Sequence, residues 1–208
     1  MIDLRCCDVR DLLAYAVLIE PELIVCDAPW RYSQAFGESV VADHYETMTA
    51  RDVAILIAPL AQHLDACRLA LWITNPILCA EWEMRCGAWG RPRTQLTWFK
   101  SDGKSGHYGQ GYHAAGASEQ VLIYSVGSPP NTRTKLRSGY VEPPTEHSAK
   151  PVEWQREWIR RWTSPGGLVF DPFCGTGSVA LACAAEGRRY LGAEKDPKRW
   201  ATAMRALR

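Results

Sequence analysis

The residues with the clearest chemical potential are Asp27-Ala28-Pro29-Trp30, which follow the apolar run Leu23-Ile24-Val25-Cys26. Such a run is typical of a buried strand, and open α/β sheets bind their ligands at the C-terminal ends of their strands. An indole can stack on a flat heterocycle, while a carboxylate and the Ala28 carbonyl can accept hydrogen bonds from an exocyclic amine. The tetrapeptide therefore predicts a site for an amine-bearing heterocycle, although an ordinary proline turn is an alternative interpretation.

A second constellation lies near the end of the chain, where the apolar residues 168–170 lead into Asp171-Pro172-Phe173-Cys174-Gly175-Thr176-Gly177. The glycines permit a tight turn and the close approach of a ligand, and a following helix offers unpaired N–H groups. Glu194 comes seventeen residues after Gly177, where a carboxylate at a strand end can bind the hydroxyls of a ribose. Together these features predict a site for an adenosine-containing cofactor.

The same glycines leave a dinucleotide enzyme as a competing interpretation, because residues 175–180 also satisfy the pattern G-x-G-x-x-A. Only 31 residues follow Gly177, which is too few for the rest of a dinucleotide-binding sheet. The remaining strands must then come from upstream, in a circularly permuted arrangement. A phosphate-binding loop ending at Gly103-Lys104-Ser105 is excluded, because Trp98 stands where that motif needs its first glycine.

The elements that must position these residues alternate along the chain. We predict strands at 2–6, 22–27, 69–74, 94–100, 119–126, 168–171 and 189–193, and helices at 10–18, 50–64, 76–87, 151–162, 178–186 and 197–207. This alternation predicts an α/β fold with a mainly parallel sheet and helices on both faces. A chain of 208 residues is expected to form a single domain, 1–208. Its catalytic part would be 1–126, followed by a loop at 127–148 and a cofactor-binding part at 149–208.

Composition limits the classes of function. The charges nearly cancel, with 24 Lys and Arg against 23 Asp and Glu, so a nucleic-acid surface would have to be local. The eight Cys form no C-x-x-C pair and predict reduced, buried thiols rather than disulfides or a metal site. The N-terminus lacks a leader pattern and no apolar run approaches membrane-spanning length, so we expect a soluble, cytoplasmic protein with no membrane association.

Two long loops, 101–118 and 127–148, concentrate basic residues that predict local contacts to nucleic acid. The residues are Lys100, Lys104, Arg133, Lys135 and Arg137. A solvated loop face would have a similar composition. Ahead of the predicted helix 151–162, His147, Ser148 and Lys150 lead to Pro151, which suits a first helical position. Lys150 could there meet the carboxylate of an amino-acid-derived cofactor, while Trp154, Trp158 and Trp162 form a stripe expected to lie in the core.

In combination, these motifs resemble the β-class S-adenosylmethionine-dependent amino-methyltransferases of DNA, in which a D-P-P-W/Y-type motif precedes the cofactor glycine motif. The closing motifs that carry the resemblance are His147-Ser148-x-Lys150-Pro151, Asp171–Gly177 and Gly192-Ala193-Glu194. The middle of the chain is similar to the mRNA-adenosine methyltransferase family, in His44-Tyr45-x-x-Met48, Trp72-Ile73-Thr74-Asn75-Pro76, Trp98-Phe99-Lys100 and Gly109-x-Gly111-Tyr112 ahead of Glu119. The resemblance implies a Rossmann-like methyltransferase fold, circularly permuted.

The resemblance also implies roles for individual residues. Asp27 and the Ala28 carbonyl would hold the target amine in a catalytic motif completed by Pro29 and Trp30, with Trp30 stacked on the base. The implied cofactor-binding residues are Asp8, His147, Ser148, Lys150, Asp171, Phe173, Cys174, Gly175, Thr176, Gly177 and Glu194. Ala28 replaces the usual first proline of the motif, which keeps the carbonyl acceptor but removes rigidity.

The leading functional hypothesis is therefore transfer of a methyl group from S-adenosylmethionine to adenine N6 in DNA, in a bacterial or phage-infected cell. Cytosine N4 in DNA and adenosine N6 in RNA are alternative targets, since the chemistry is the same. A catalytically silent nucleic-acid-binding subunit is the alternative from another class. The chain has no separate target-recognition domain, so the choice of sequence would rest on the long loops or on a second subunit, such as a homodimer partner.

Overall fold

The computed structural model describes residues 1–31, 46–74, 82, 87–100, 118–132, 136–144 and 150–208. The strands are β1 (Ile2–Cys6), β2 (Leu23–Cys26), β3 (Cys67–Ile73), β4 (Thr94–Phe99), β5 (Ser118–Val126), β6 (Gly139–Val141), β7 (Leu168–Asp171) and β8 (Arg189–Glu194). The α-helices in these ranges are α1 (Leu13–Leu18), α2 (Ala50–Ile57), α3 (Leu60–His63), α4 (Val152–Trp162), α5 (Ser178–Ala185) and α6 (Pro197–Ala206). The predicted alternation of strands and helices is confirmed.

The strands form one sheet in the order β1-β8-β7-β2-β3-β5-β4-β6. β5 is antiparallel to both of its neighbours, and the other neighbouring pairs are parallel. From β7 the chain continues to β8 on one side, whereas from β2 it continues to β3 on the other. The strand order therefore reverses between β7 and β2, which opens a crevice at their C-terminal ends. β7 and β8 come last in the sequence but lie between β1 and β2, as the predicted permutation requires.

Helices cover both faces of the sheet, as predicted, because the central strands are buried on both sides. In β3, Leu69 and Leu71 pack in the core cluster that includes residues of α1, α2 and α3. Ala70 and Trp72 point to the opposite cluster, which includes residues of α4, α5 and α6. An apolar run such as Leu69–Ile73 is typical of a parallel sheet with two covered faces.

The tryptophan stripe of α4 lies in the core, as the four-residue spacing predicts. Trp154, Trp158 and Trp162 are all buried, and the first two rings pack edge to face with their centroids 4.9 Å apart. Trp72 of β3 packs against Trp158 at 5.5 Å, so the helix is fixed against the sheet. The residue that precedes α4 by two positions, Lys150, is thereby held at the crevice.

Several predicted boundaries differ from the observed ones. The helix predicted at 10–18 begins as a 3-10 turn, Val9–Asp11, before α1. Pro59 splits the helix predicted at 50–64 into α2 and α3, because proline lacks the N–H that would continue α2. Pro151 lies at the N-cap of α4 rather than at its first position. The helix predicted at 76–87 falls largely outside the described residues, although Trp82 is helical and buried.

The prediction of a single loop over 127–148 is wrong, because the short strand β6 lies within it. β6 pairs in parallel with β4, joining Trp98 to Tyr140 and Phe99 to Val141. Three residues, Gly-Tyr-Val, are too few to show an alternating pattern in the sequence. Among the residues that the structure describes, no helix has the length and apolar character needed to cross a membrane.

Candidate active site

A cavity of about 690 Å³ occupies the crevice at the C-terminal ends of the central strands. Asp27 follows β2, Thr74 follows β3 and Glu194 ends β8, and all three side chains line it. The glycine turn after β7 contributes Gly175 to the same wall. The two constellations that the sequence places 140 residues apart or more therefore meet in one pocket.

The tetrapeptide 27–30 leaves β2 through a tight turn. The Trp30 amide donates to the Ala28 carbonyl at 2.8 Å, across Pro29. Trp30 then forms a parallel bridge with Met48, and Met48 donates to the Pro29 carbonyl at 2.7 Å. These bonds supply local rigidity at the position where the resembling family has its first proline. The Ala28 carbonyl keeps a second lone pair for another donor.

Trp30 is more buried than a base-stacking role suggests. Its side chain is only 2% exposed and packs in the core, although it also lines the pocket. The indole Nε1 donates to the Trp72 carbonyl at 3.0 Å. Trp30 therefore forms a fixed wall of the pocket rather than a freely exposed platform.

The Asp27 carboxylate is held by a buried cation. Lys150 Nζ lies 2.7 Å from Asp27 Oδ2 and 3.3 Å from Glu119 Oε2. The other oxygen of Glu119 pairs with Lys100. Lys150 also lies over the Trp72 ring, 5.1 Å from its centroid. Lys150 thus lines the pocket, as predicted, and contacts two carboxylates of the protein.

The charges of this group determine one another's ionisation. Burial raises the pKa of Asp27, while Lys150 opposes that increase and Glu119 adds to it. Burial would also raise the pKa of Glu119, but Lys150 and Lys100 hold it below its usual value. The pKa of Lys150 is raised, because the attraction of Asp27 and Glu119 outweighs the effect of burial. Lys150 is therefore a permanent cation beside the predicted catalytic carboxylate.

The glycine turn between β7 and α5 has the geometry that the sequence predicts. Gly175 and Gly177 have φ angles of 58° and 91°, a region that side chains other than glycine rarely adopt. A Cβ atom on Gly177 would lie 2.9 Å from the Ala203 Cβ of α6. Gly177 therefore packs helix against helix and does not line the pocket, whereas Phe173, Cys174, Gly175 and Thr176 do.

Glu194 connects the end of β8 to the glycine turn. One carboxylate oxygen accepts from the Gly175 amide at 2.8 Å, and the other accepts from the Asp196 amide at 2.8 Å. Burial raises its pKa, which these two hydrogen bonds oppose. The carboxylate retains free lone pairs toward the pocket that it lines.

Asp171 was predicted to line the cofactor pocket. It lies beneath the glycine turn instead and is not among the lining residues. It is 1% exposed, and it accepts hydrogen bonds from Tyr190 Oη at 3.0 Å and from the Phe173 amide at 3.2 Å. Burial raises its pKa to about 7. The residue thus shapes the turn from below, through its hydrogen bond from the Phe173 amide.

Asp171 should make the stability of the protein depend on pH. Unfolded Asp ionises near about pH 4, whereas the buried group keeps its proton until about pH 7. The folded state therefore binds more protons in this window, and its free energy of unfolding falls as the pH rises. We expect the free energy of unfolding of Asp171→Asn to fall less with rising pH than that of wild type, because the asparagine amide does not titrate. Urea unfolding at a series of pH values measures it, and a constant difference between the two proteins from pH 4 to 7 would contradict the assignment.

The remaining predicted cofactor residues are placed as follows. Asp8 lines the pocket beyond β1, where it caps the 3-10 turn by accepting from the Arg10 amide at 3.0 Å. The Arg10 guanidinium holds the pKa of Asp8 below its usual value. His147 and Ser148 lie outside the described residues.

Only two of the predicted basic contacts, Lys100 and Arg137, lie within the described residues. Lys100 follows the C-terminal end of β4, at the pocket edge of the sheet, where it pairs with Glu119. Arg137 comes before β6, which is parallel to β4, so it lies toward the opposite edge. There it pairs with Glu157 and lies over Tyr140. Lys104, Arg133 and Lys135 fall outside the described residues.

Sequence reasoning gave Glu119 no role, and it also missed the second wall of the pocket. An acid two residues before the apolar run Val121–Tyr124 of β5 was the available signal, because a buried carboxylate requires a partner. The second wall comes from residues 46–48 and from α2, including Asp52 and Ile55. Of these residues only Met48 belonged to a motif, and the bridge from Trp30 to Met48 brings this wall to the site.

Residues 128–205 match a family model described as DNA methylase. The match covers the segment from the end of β5 to α6 and contains the glycine turn and Glu194. It begins after Asp27, so it does not include the tetrapeptide.

Curated relatives and solved structures extend the similarity. The type II methyltransferase M.XycI of Xanthomonas campestris pv. cyanopsidis is 46% identical over 48 residues, which are 23% of this chain and 16% of that protein. The chain therefore matches only about a sixth of this relative's length. The M1.HpyAVI–SAM complex superposes with a TM-score of 0.74 and 16% identity, covering 100% of this chain and 99% of that one. PvuII DNA methyltransferase, described as cytosine-N4-specific, superposes with a TM-score of 0.68 and 16% identity. The match covers 98% of this chain and 85% of that one.

These likenesses confirm the predicted fold. The chain has the α/β fold of S-adenosylmethionine-dependent methyltransferases, with a mostly parallel eight-stranded sheet between helices. Both solved relatives are matched over nearly the whole of this chain, so the permuted strand order belongs to the shared architecture.

Proposed function

We propose that this protein is a DNA methyltransferase that transfers the methyl group of S-adenosylmethionine to an exocyclic amine, with adenine N6 as its target. The observation that carries the proposal is that Asp27 and the Gly175 turn line one pocket at the reversal of strand order. The family match over residues 128–205 supports the cofactor half of this pocket. Asp27 and the Ala28 carbonyl supply the acceptors that an amine substrate needs.

The residues present fit the proposed cofactor. A pocket of about 690 Å³ has the size of small-molecule sites in general, about 300–1,000 Å³. Glu194 offers lone pairs to ribose hydroxyls at the end of β8, and Gly175 lets a ligand approach the backbone closely. Phe173 and Val9 supply apolar surface, and Asp8 an acceptor for an adenine amine. When bound, S-adenosylmethionine supplies a sulfonium methyl group.

The protein's own residues would catalyse the transfer by position and charge. The lone pair of an exocyclic amine is delocalised into its ring, so the nitrogen is a weak nucleophile. Asp27 and the Ala28 carbonyl, by accepting the two amine hydrogens, favour a more tetrahedral nitrogen whose lone pair is directed at the methyl donor. Asp27, with its raised pKa, can also take the proton that the methylated nitrogen releases. A base within a duplex must first be flipped out of the stack.

Cytosine N4 is the second candidate target, favoured by the superposition on the cytosine-N4-specific PvuII enzyme. Digestion of treated DNA to nucleosides, followed by mass spectrometry, separates the two. We expect N6-methyldeoxyadenosine. A product that contains only N4-methyldeoxycytidine would contradict the adenine assignment, and methylation confined to matched RNA oligonucleotides would contradict the assignment to DNA.

Glu194 provides a test of the cofactor site. We expect Glu194→Gln to weaken the binding of S-adenosylmethionine about tenfold to a hundredfold, since a hydrogen bond to a charged group contributes roughly 1.5–3 kcal/mol. Isothermal titration calorimetry measures the change, and Glu157→Gln on the far side of the fold is the matched control. Equal affinity in both variants would remove Glu194 from the cofactor site.

DNA as the partner is part of this proposal, whereas RNA binding and a homodimer stay predictions. A cytoplasmic location in a bacterial or phage-infected cell is likewise a prediction. The role of Lys100 as a phosphate contact is weakened by its ion pair with Glu119. The other basic residues of the loops remain the candidates for recognising the DNA sequence that is methylated.

A further inference from the structure

Glu119 is a buried carboxylate of the pocket to which the proposed chemistry gives no task. It is the second residue of β5, is 5% exposed and lines the same pocket as Asp27. A carboxylate is rarely buried to this extent unless it is paired. Each of its two oxygens contacts a cation: Oε1 contacts Lys100 and Oε2 contacts Lys150.

Four charges consequently alternate in a continuous chain, in the order Asp27, Lys150, Glu119 and Lys100. Each buried member depends on its neighbours, because removing one partner leaves an uncompensated charge. Lys150 has a flexible stem and a compact ammonium group, so a single carboxylate would restrain it poorly. Contacts with both Asp27 and Glu119 fix the ammonium between them.

We propose that Glu119 is a positioning residue, which anchors Lys150 and thereby holds the Asp27 carboxylate in the orientation that accepts the target amine. Lys100 completes the arrangement as the counter-charge of Glu119. The inference rests on the proposed function, because it assigns Asp27 to the amine. It also places Lys100 in the support of the site rather than on a nucleic-acid backbone.

Other charged groups act on Asp27 from the cofactor side of the pocket. Arg199 of α6 attracts the carboxylate, and Asp171 of β7 repels it. Neither residue is substituted in the Glu119 variants. The electrostatic effect of Glu119 on Asp27 can therefore be isolated by substitution.

The experiment compares wild type, Glu119→Gln, Glu119→Asp and the control Glu157→Gln in single-turnover methyl transfer across a range of pH. We expect both Glu119 variants to lose about tenfold or more of the rate, as expected for a weakened charged contact, with S-adenosylmethionine affinity unchanged. The acid limb of the profile should move to lower pH in Glu119→Gln, because a negative charge beside Asp27 is removed. It should stay in place in Glu119→Asp, which keeps the charge but shortens its reach.

A wild-type rate in both Glu119 variants, or a loss confined to cofactor affinity, would overturn the proposal. The carboxyl ¹³C resonance of Asp27, assigned with Asp27→Asn, gives a readout that needs no activity. Its titration midpoint should be lower in Glu119→Gln than in wild type, and an unchanged midpoint would overturn the coupling. A wild-type protein that transfers no methyl group would contradict the proposed function, while the titration would still test Glu119. If Glu119→Gln fails to fold, the rate of Glu119→Asp decides.

Discussion

Asp27→Asn should lower the rate of methyl transfer by about 10³-fold, the scale expected when one preorganised charged group is removed from a reacting centre. Asparagine keeps the volume of the side chain and one oxygen acceptor, but it loses the negative charge that favours the developing positive charge on the amine. It also cannot take the proton that the methylated nitrogen releases. Single-turnover kinetics with saturating DNA and cofactor measure this rate.

The affinity of Asp27→Asn for S-adenosylmethionine should match that of wild type, because Glu194 is held by the Gly175 and Asp196 amides, whereas Asp27 pairs with Lys150. Its folding should also be retained, since Lys150 keeps Glu119 as a partner. Isothermal titration calorimetry and thermal unfolding check these two expectations. An asparagine variant that transfers methyl groups at the wild-type rate would contradict the assignment of Asp27 to the amine.

Lys150→Met should reduce both the stability and the activity of the protein. The substitution leaves Asp27 and Glu119 facing each other without the buried cation between them. Breaking a buried ion pair from one side costs about 3–5 kcal/mol, so we expect a loss of that order in the free energy of unfolding. Urea denaturation measures it.

The activity of Lys150→Met should also show a shifted pH dependence. Lys150 opposes the rise in the Asp27 pKa that burial causes, so its removal raises that pKa further. The acid limb of the rate profile should therefore move to higher pH, opposite in direction to the shift expected for Glu119→Gln. Lys150→Arg, which retains the charge, should stay close to the wild-type profile. A methionine variant with the wild-type profile would mean that Asp27 does not depend on Lys150.

Much of the architecture could be predicted from the sequence, because it depends on local signals. Apolar runs such as Leu168–Phe170 mark strands that are covered on both faces. Gly175 and Gly177 mark a turn that needs positive φ angles. The four-residue spacing of Trp154, Trp158 and Trp162 predicted which side of α4 is buried.

The contacts that complete the site could not be predicted, because they join residues far apart in the chain. Lys150 was expected at the pocket, but its pairing with Glu119 depends on β5 running antiparallel beside β3. The order of the motifs along the chain does not show that β5 runs antiparallel to β3. The resemblance predicts that Asp171 lines the cofactor, whereas its side chain turns beneath the loop toward Tyr190. The two-sided burial of β7 explains why, since successive residues of a strand point to opposite faces.

The most direct test of this account is the transfer of a labelled methyl group from S-adenosylmethionine to unmethylated DNA by the purified wild-type protein, in parallel with Asp27→Asn. We expect label to accumulate in DNA with the wild type, and almost none with the variant, although both bind the cofactor with equal affinity. A wild-type protein that binds S-adenosylmethionine and DNA but transfers no label would contradict the account and identify the chain as a binding subunit.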